Sequence, residues 1–455
     1  MPLRRRRLRP LLFAILLAAI LPARAHAHAE IVRAEPTADC GPRAPASFAR
    51  DQPCPGGVVL PRPPGEVRIF FSEPVAPVAG GISVLGPSGR RVDRGPARAD
   101  GATLAVDLDG AEEGTYQVRW RVVAEDTHPA RGSFAFSVGR VTAADVASSE
   151  LGAVAPLGLL LQVAARWLHF VGYALAFGTL AVQQLAPRPS IRSDPVPLPE
   201  GEGTLSSLGT SLGPLADADF NLQPSSFNPL VTAGILLLLL AEPIALFGQT
   251  TSLEPSAPLD SDLLADAVGS TFGRALGLRL AAALLLWTLV GVIRDRSERR
   301  LGWLALALAL ALAAVDAASA HAASFRPPAL GLLVGGLHVA AMGLWLGGLA
   351  ALLAMRRPPL EMAGPPRLVA IALAALTLSG AAMAIVHLGP GLTGLATPYG
   401  LVLAAKMAVV GLSVALALAA ARRRPAAPRL RALEAAALAA VLALAGALVS
   451  LPPPR

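Results

Sequence analysis

The stretch "RAHAHAEIVRAEP", Arg24 to Pro36, decides how the rest of the chain is divided. Ahead of it stand "MPLRRRRLRP" and "LLFAILLAAIL", a cationic segment and then an apolar one too short and too near the start to be a typical spanning helix. This is the pattern of a secretory leader, residues 1–27, and it predicts that the domain beginning at residue 28 is exported. Ala23 with Ala25, or Ala25 with Ala27, forms a cleavage signal of the A-x-A kind. Cleavage therefore leaves either His26 or His28 as the first residue, and the sequence alone does not choose.

Working outward, an apolar share of 54% with 43 Gly and 41 Pro in 455 residues is too high for an ordinary soluble protein. Most of the chain is expected in a lipid bilayer. The net charge of +8 does not argue for nucleic acid, because the arginines fall mostly in short clusters between apolar runs. The two cysteines, Cys40 and Cys54, come soon after the leader, and an oxidising compartment favours a disulfide closing a Pro-rich loop. A metal pair is the alternative, but nothing nearby completes a ligand set.

Residues 28–140 read as a small β-domain. "EVRIFFSEPV" alternates Val67, Ile69 and Phe71 with other positions, "GISVLGPSGRRV" sets a Gly-rich turn between short strands, and "TLAVDLDG", "GTYQVRWRVVAED" and "GSFAFSVG" keep the period of two. Short strands at this spacing predict a β-sandwich or barrel. After a Ser/Ala-rich hinge, residues 141–155, come eight apolar stretches in residues 156–450, each near the roughly 20 residues that cross a hydrocarbon core of about 30 Å. They are 156–186, 230–249, 272–293, 301–320, 329–355, 368–387, 400–421 and 431–450. With the β-domain exported, "RDRSERR", "RRPPLEMAGPPR" and "RRRPAAPRLR" fall on the cytoplasmic side, as does a polar linker, 187–229, whose composition predicts disorder. The outer loop 250–271 carries acids and no Lys or Arg, so the positive charge sits inside. The expected location is a bacterial cytoplasmic membrane with the N-terminal domain outside it.

The chemistry-bearing residues respect this division. An N-terminal His chelates metal through its amine and imidazole together, which suits Cu(II). "D-T-H" adds Asp126 and His128, two apart and on one face if the segment is extended. Read on spacing alone, His128 is equally a loop histidine. Within the spans, His338 and Met342 are four apart, as are Met383 and His387, so each pair shares a helix face. Imidazole and thioether suit copper, Cu(I) above all, although methionines also simply fill gaps between helices. His169 and His338 are expected near mid-membrane, and His321 and His387 at the outer rim. Glu242, Asp316, Arg279 and Lys406 also lie in spans, either paired structurally or handling ions, and Glu242-Pro243 could mark a broken helix.

"HAEIVRAEP", "VRIFFSEPV" and "EDTHPARGSFAFSV" together resemble the CopC family of exported copper-binding β-sandwiches. The resemblance implies that His28, with its free amine, Asp126 and His128 are the Cu(II) ligands. The domain has no Met, so the Met-rich Cu(I) site of some members is absent; the Cys40–Cys54 insertion also departs from the pattern. "RWLHFVGYALAFG", "LHVAAMGLWLGGL", "TPYGLVLAAKM" and "LRALEAAALAAVLALAGALVSLPPP" resemble the CopD family of copper-associated membrane proteins. A fusion of the two implies copper capture outside and uptake or homeostasis across the membrane. It implies the copper ion and the bilayer as partners, with an exported copper donor or reductase, and no nucleic acid. His169, His338, Met342, His387, Met383 and His321 would form the membrane copper path. The rival reading is a haem b or copper redox protein with His169 and His338 as axial ligands. No P-loop, GxSxG or HExxH motif occurs, so ATP-driven pumping and these hydrolytic chemistries have no support and no enzyme activity is expected.

Overall fold

In the computed structural model the described residues are 29, 31–36, 59–110, 112–125, 127–142, 155–185, 228–296, 299–320, 325, 327–354, 366–388, 394–422 and 428–451. The expected leader, Cys40, Cys54, the hinge from 143 to 154 and nearly all of the 187–229 linker lie outside them, as do His26, His28, Asp126 and His321.

The alternating apolar positions form two four-stranded sheets. One has the order β1 (Ile31–Glu35), β3 (Glu66–Phe71), β6 (Thr103–Leu108), β5 (Asp93–Asp100). The other runs β2 (Val59–Leu60), β8 (Pro129–Val138), β7 (Gly114–Ala124), β4 (Val75–Leu85). Val67, Ile69 and Phe71, picked out by their period of two, all point into the core between the sheets. There Phe71 meets Trp120 edge-on at 5.2 Å, and Tyr116 stacks on Phe136 at 5.1 Å. β7 and β8 pair along their whole length, from Gly114↔Val138 to Val123↔Pro129, which leaves the connecting turn projecting from one end of the sandwich.

Beyond the sandwich, the described residues include eight helices long and apolar enough to cross a membrane. They are α1 (Pro156–Leu185), α2 (Asn228–Leu253), α4 (Thr271–Arg296), α5 (Arg299–Ala318), α6 (Pro328–Ala354), α7 (Pro366–Leu388), α8 (Pro398–Arg422) and α9 (Pro428–Ser450). An all-β domain followed by eight apolar helices is the architecture that strand alternation and run length predict. A ninth helix, α3 (Ser261–Gly269), adds to that expectation. Its signal is present in the sequence: Asp260 caps it by accepting from the Asp262 and Leu263 amides, and Leu263 and Ala267 bury one face.

Small residues bring the helix backbones together, as they must where lipid offers no hydrophobic drive. α1 is interrupted by a π-helical turn, Ala174–Gly178. At that turn a Cβ on Gly178 would lie 2.1 Å from the Gly343 carbonyl oxygen of α6, and one on Gly347 would lie 2.2 Å from that of Ala174. Gly347→Ala should therefore force α1 and α6 apart and lower the thermal unfolding midpoint of the detergent-solubilised protein by several degrees. Gly277→Ala on α4, where nothing lies within 4 Å of the new methyl, should be neutral, or stabilising by up to about 1 kcal/mol from helix propensity. Equal effects of the two changes would refute the close-packing account.

Candidate functional site

The β7–β8 turn carries His128. Its geometry is a tight hairpin end: the Thr127 amide donates to the Ala124 carbonyl (3.0 Å) and the Ala124 amide to the His128 carbonyl (2.9 Å). Thr127 has φ of +73°, a left-handed conformation that a β-branched residue rarely adopts. The condition under which Asp126 and His128 would share one face, an extended backbone, is not met at Thr127, and Asp126 lies outside the described residues. His128 is set by the turn and by what the turn docks on, since the chain reverses here and strand alternation does not apply. Asp126 and His28 lie outside the described residues; Ala29, which comes directly after His28, is buried in the sandwich core.

The turn is seated on helix ends. Gln249 of α2 donates to the Thr127 carbonyl (3.1 Å), and Thr271 of α4 to that of Ala124 (3.0 Å). The Thr127 hydroxyl reaches the Ser319 carbonyl just past α5 (3.5 Å). His128 Nε2 lies 2.8 Å from the Val449 carbonyl oxygen of α9. A carbonyl only accepts, so Nε2 carries the hydrogen and donates it. Arg166 of α1 stands 3.4 Å from the same Nε2 and bonds Ser450.

Beneath the turn a second constellation spans four helices. His169 Nδ1 is 3.0 Å from Glu242 Oε1 of α2, and its Nε2 is 2.9 Å from Asp316 Oδ2 of α5. Arg279 of α4 donates to Asp316 Oδ1 (2.8 Å) and to the Ser319 hydroxyl (2.5 Å). Glu242, Asp316 and His169 are all buried. Both ring nitrogens of His169 are held by carboxylates, so a metal bound there would have to displace one of them. Among the described residues no group of three or more His, Cys, Asp or Glu side chains is arranged to hold a metal ion.

The remaining candidates sit apart from this cluster. His338 Nδ1 is 3.0 Å from the Ser379 hydroxyl of α7, and His387 Nδ1 is 3.0 Å from the Tyr399 hydroxyl of α8. Ser379, Met383 and His387 recur every fourth residue and so share one face of α7. Met342 is buried one turn beyond His338. Sequence reasoning misses Ser379, Tyr399, Gln249 and Arg166 as functional neighbours; nothing in a single sequence ties them to their distant partners.

Comparisons with known proteins bear on both halves. Residues 52–139 match the CopC domain, and residues 157–331 match the copper resistance protein D-like, N-terminal domain. The chain joins a CopC domain to a copper resistance protein D-like domain. Copper resistance protein C of Xanthomonas campestris pv. juglandis is 33% identical over 84 residues, 16% of this chain and 66% of that protein. Protein YobA of Escherichia coli (strain K12) is 35% identical over 79 residues, 16% of this chain and 64% of that protein. The chain therefore spans a little less than two thirds of the length of these relatives. The crystal structure of CopC from Methylosinus trichosporium OB3b is 24% identical, with 24% of this chain and 93% of that one covered at a TM-score of 0.18. The D-like match ends at residue 331, ahead of His338 and His387.

The CopC domain also rests on the loop between α2 and α4. Val78 and Val123 pack with Leu253, Leu263 and Phe272, the Ala79 amide donates to Asp266 Oδ2 (2.8 Å), and Arg121 pairs with Glu254. Partial burial pushes the Glu254 carboxyl up, but hydrogen bonds from Ser256 and the charges of Arg121 and Arg131 outweigh it and hold the carboxyl below its ordinary value of 4.5. A lowered carboxylate stabilises the docked state at pH above the ordinary value, and the contribution is lost as pH falls through the lowered one. Protection from hydrogen exchange in residues 254–272, measured against the intrinsic rate at each pH, should therefore fall on acidification below about pH 4.5. In Glu254→Gln it should already be low at neutral pH; identical exchange profiles in the two proteins would remove Glu254 from the docking.

Proposed function

We propose that the chain handles copper at a bacterial cytoplasmic membrane. The exported CopC domain, residues 28–140, captures Cu(II) through the His28 amine and imidazole with Asp126 and His128, and the helical domain takes copper inward. The observation that carries this reading is the docking of His128 onto α9 and α1. Its Nε2–H is given to the Val449 carbonyl, which fixes the ring and ties the proposed capture site to the membrane domain. The domain matches support the metal.

The inward path we propose uses His321 at the mouth, then His387, Met383, His338 and Met342 in descending order along α7 and α6. Each site replaces lost hydration with nitrogen or sulfur before the next is reached. Soft thioethers favour Cu(I), so an electron donor outside this chain acts between capture and entry. Carriage needs no bond-making chemistry, and the reading is accordingly of a carrier, not an enzyme.

Two measurements test it. In the Cu(II) paramagnetic resonance spectrum, His128→Ala should remove one nitrogen coupling, and one residue added ahead of His28 should weaken binding by at least about tenfold, since it destroys the amine chelate. An unchanged spectrum and affinity would reject the site. Separately, His338→Ala should abolish copper accumulation in cells while leaving that spectrum intact, with Met342→Leu giving a smaller defect because it keeps volume and removes only the sulfur. Normal accumulation in a correctly inserted His338→Ala protein would reject the path.

A further inference from the structure

The His169 cluster stands outside the proposed copper path, yet it gathers two buried carboxylates and a guanidinium around one imidazole, close to the docked turn. Its hydrogen bonds fix a proton count. An N···O contact of 3.0 or 2.9 Å between imidazole and carboxylate is attractive only if a hydrogen lies in it. A neutral imidazole has one N–H, so two such contacts need one further proton, on the ring or on a carboxylate. We propose that His169, Glu242 and Asp316 form an intramembrane proton-binding site, which exchanges one proton with water as a cation passes through the helical domain. The cation rests on the uptake reading above; the proton rests on the cluster's own geometry.

The groups facing His169 determine what proton loss does. From α5 comes Asp316, doubly held by Arg279 of α4; from α2 comes Glu242. On α1 itself Arg166 lies one turn toward the CopC domain. One turn the other way, Tyr173 is buried with a hydroxyl that has no hydrogen-bond partner among the described residues. When the extra proton leaves, a lone pair faces one carboxylate and that contact must open. Asp316 is anchored by the guanidinium, so the contact that opens is the one to Glu242. Glu242 precedes Pro243, which sits inside α2 and deprives the helix of a backbone hydrogen bond at that turn. The carboxylate set free is therefore on the weakest turn of its helix. Seven residues further along α2, Gln249 holds the Thr127 carbonyl next to His128, and Arg279 reaches Thr127 through Ser319. A shift of α2 or α5 thus reaches the capture site without crossing any apolar gap.

The test uses the full chain in lipid and has a copper-free arm. Infrared difference spectra between about pH 5 and about pH 9, the range over which an imidazole exchanges its proton, should show coupled imidazole and carboxyl bands. His169→Asn should abolish them, and Glu242→Gln, which keeps the shape and a hydrogen bond, should lose the carboxyl component alone. An unchanged helical circular dichroism spectrum and monodisperse elution in detergent verify folding of each variant. Absence in the wild type of any band that these substitutions alter would overturn the proposal. In liposomes with a trapped pH dye, copper entry should move protons in the wild type and not in His169→Asn. Entry with no proton movement in the wild type would overturn the coupling. Infrared bands without any copper entry would uphold the proton site and reject the uptake reading on which its coupling rests.

Discussion

A charge placed in hydrocarbon must find its counter-charge within the protein, and around His169 that requirement fixes four helices at once. α1 contributes the imidazole, α2 and α5 the carboxylates, and α4 the guanidinium. Turning any one of these helices by a single residue, about 100°, would carry its group toward lipid and leave a buried partner uncompensated. Apolar contacts cannot impose this, because one leucine face packs against lipid nearly as well as another. The cluster therefore sets helix rotation, while glycines set distance: a Cβ on Gly172 of α1 would fall 2.7 Å from the Gly234 carbonyl oxygen of α2.

The same accounting explains where the sandwich sits. The last turn of a helix leaves carbonyls without partners. Val449, near the end of α9, and Ser319, just past α5, have such carbonyls, and they receive hydrogen bonds from His128 and Thr127. The strained turn that offers these donors is held in place by the helices it satisfies. Thr127 in the left-handed region costs about 1–3 kcal/mol, and it persists because its carbonyl and hydroxyl are both engaged. Fold and candidate site thus share one set of bonds.

How much of this is legible in the sequence depends on the range over which the signal acts. The strands and the eight apolar helices follow from period-two alternation and from run length, both local, and they stand where those patterns put them. The small helix at Ser261–Gly269 is also locally encoded, by Asp260 and its cap, but a loop reading of acids and prolines conceals it. His128, His338 and His387 are found by residue type. The partners of His169 are not legible in the sequence because they lie 73 and 147 residues away. Hydropathy records that a helix is apolar and does not record which face meets which neighbour. Glu242, Asp316 and Arg279 are each visible as buried charges, yet only packing makes them one network.

The separation of the two sets of intramembrane side chains has its own physical logic. The proposed soft path along α7 and α6 offers nitrogen, sulfur and hydroxyl groups and no carboxylate of its own, so it can release a cation as readily as bind it. Affinity there stays low because no ligand charge holds the ion. The compensating negative charge is placed on other helices, where Glu242 and Asp316 act through a medium of low dielectric, in which Coulomb forces reach further than in water. A carboxylate in the path itself would give tight binding and slow release. In the proposed path, keeping the charge off the ligands and tying it to an exchangeable proton would let the domain stabilise a passing cation for the moment of passage only.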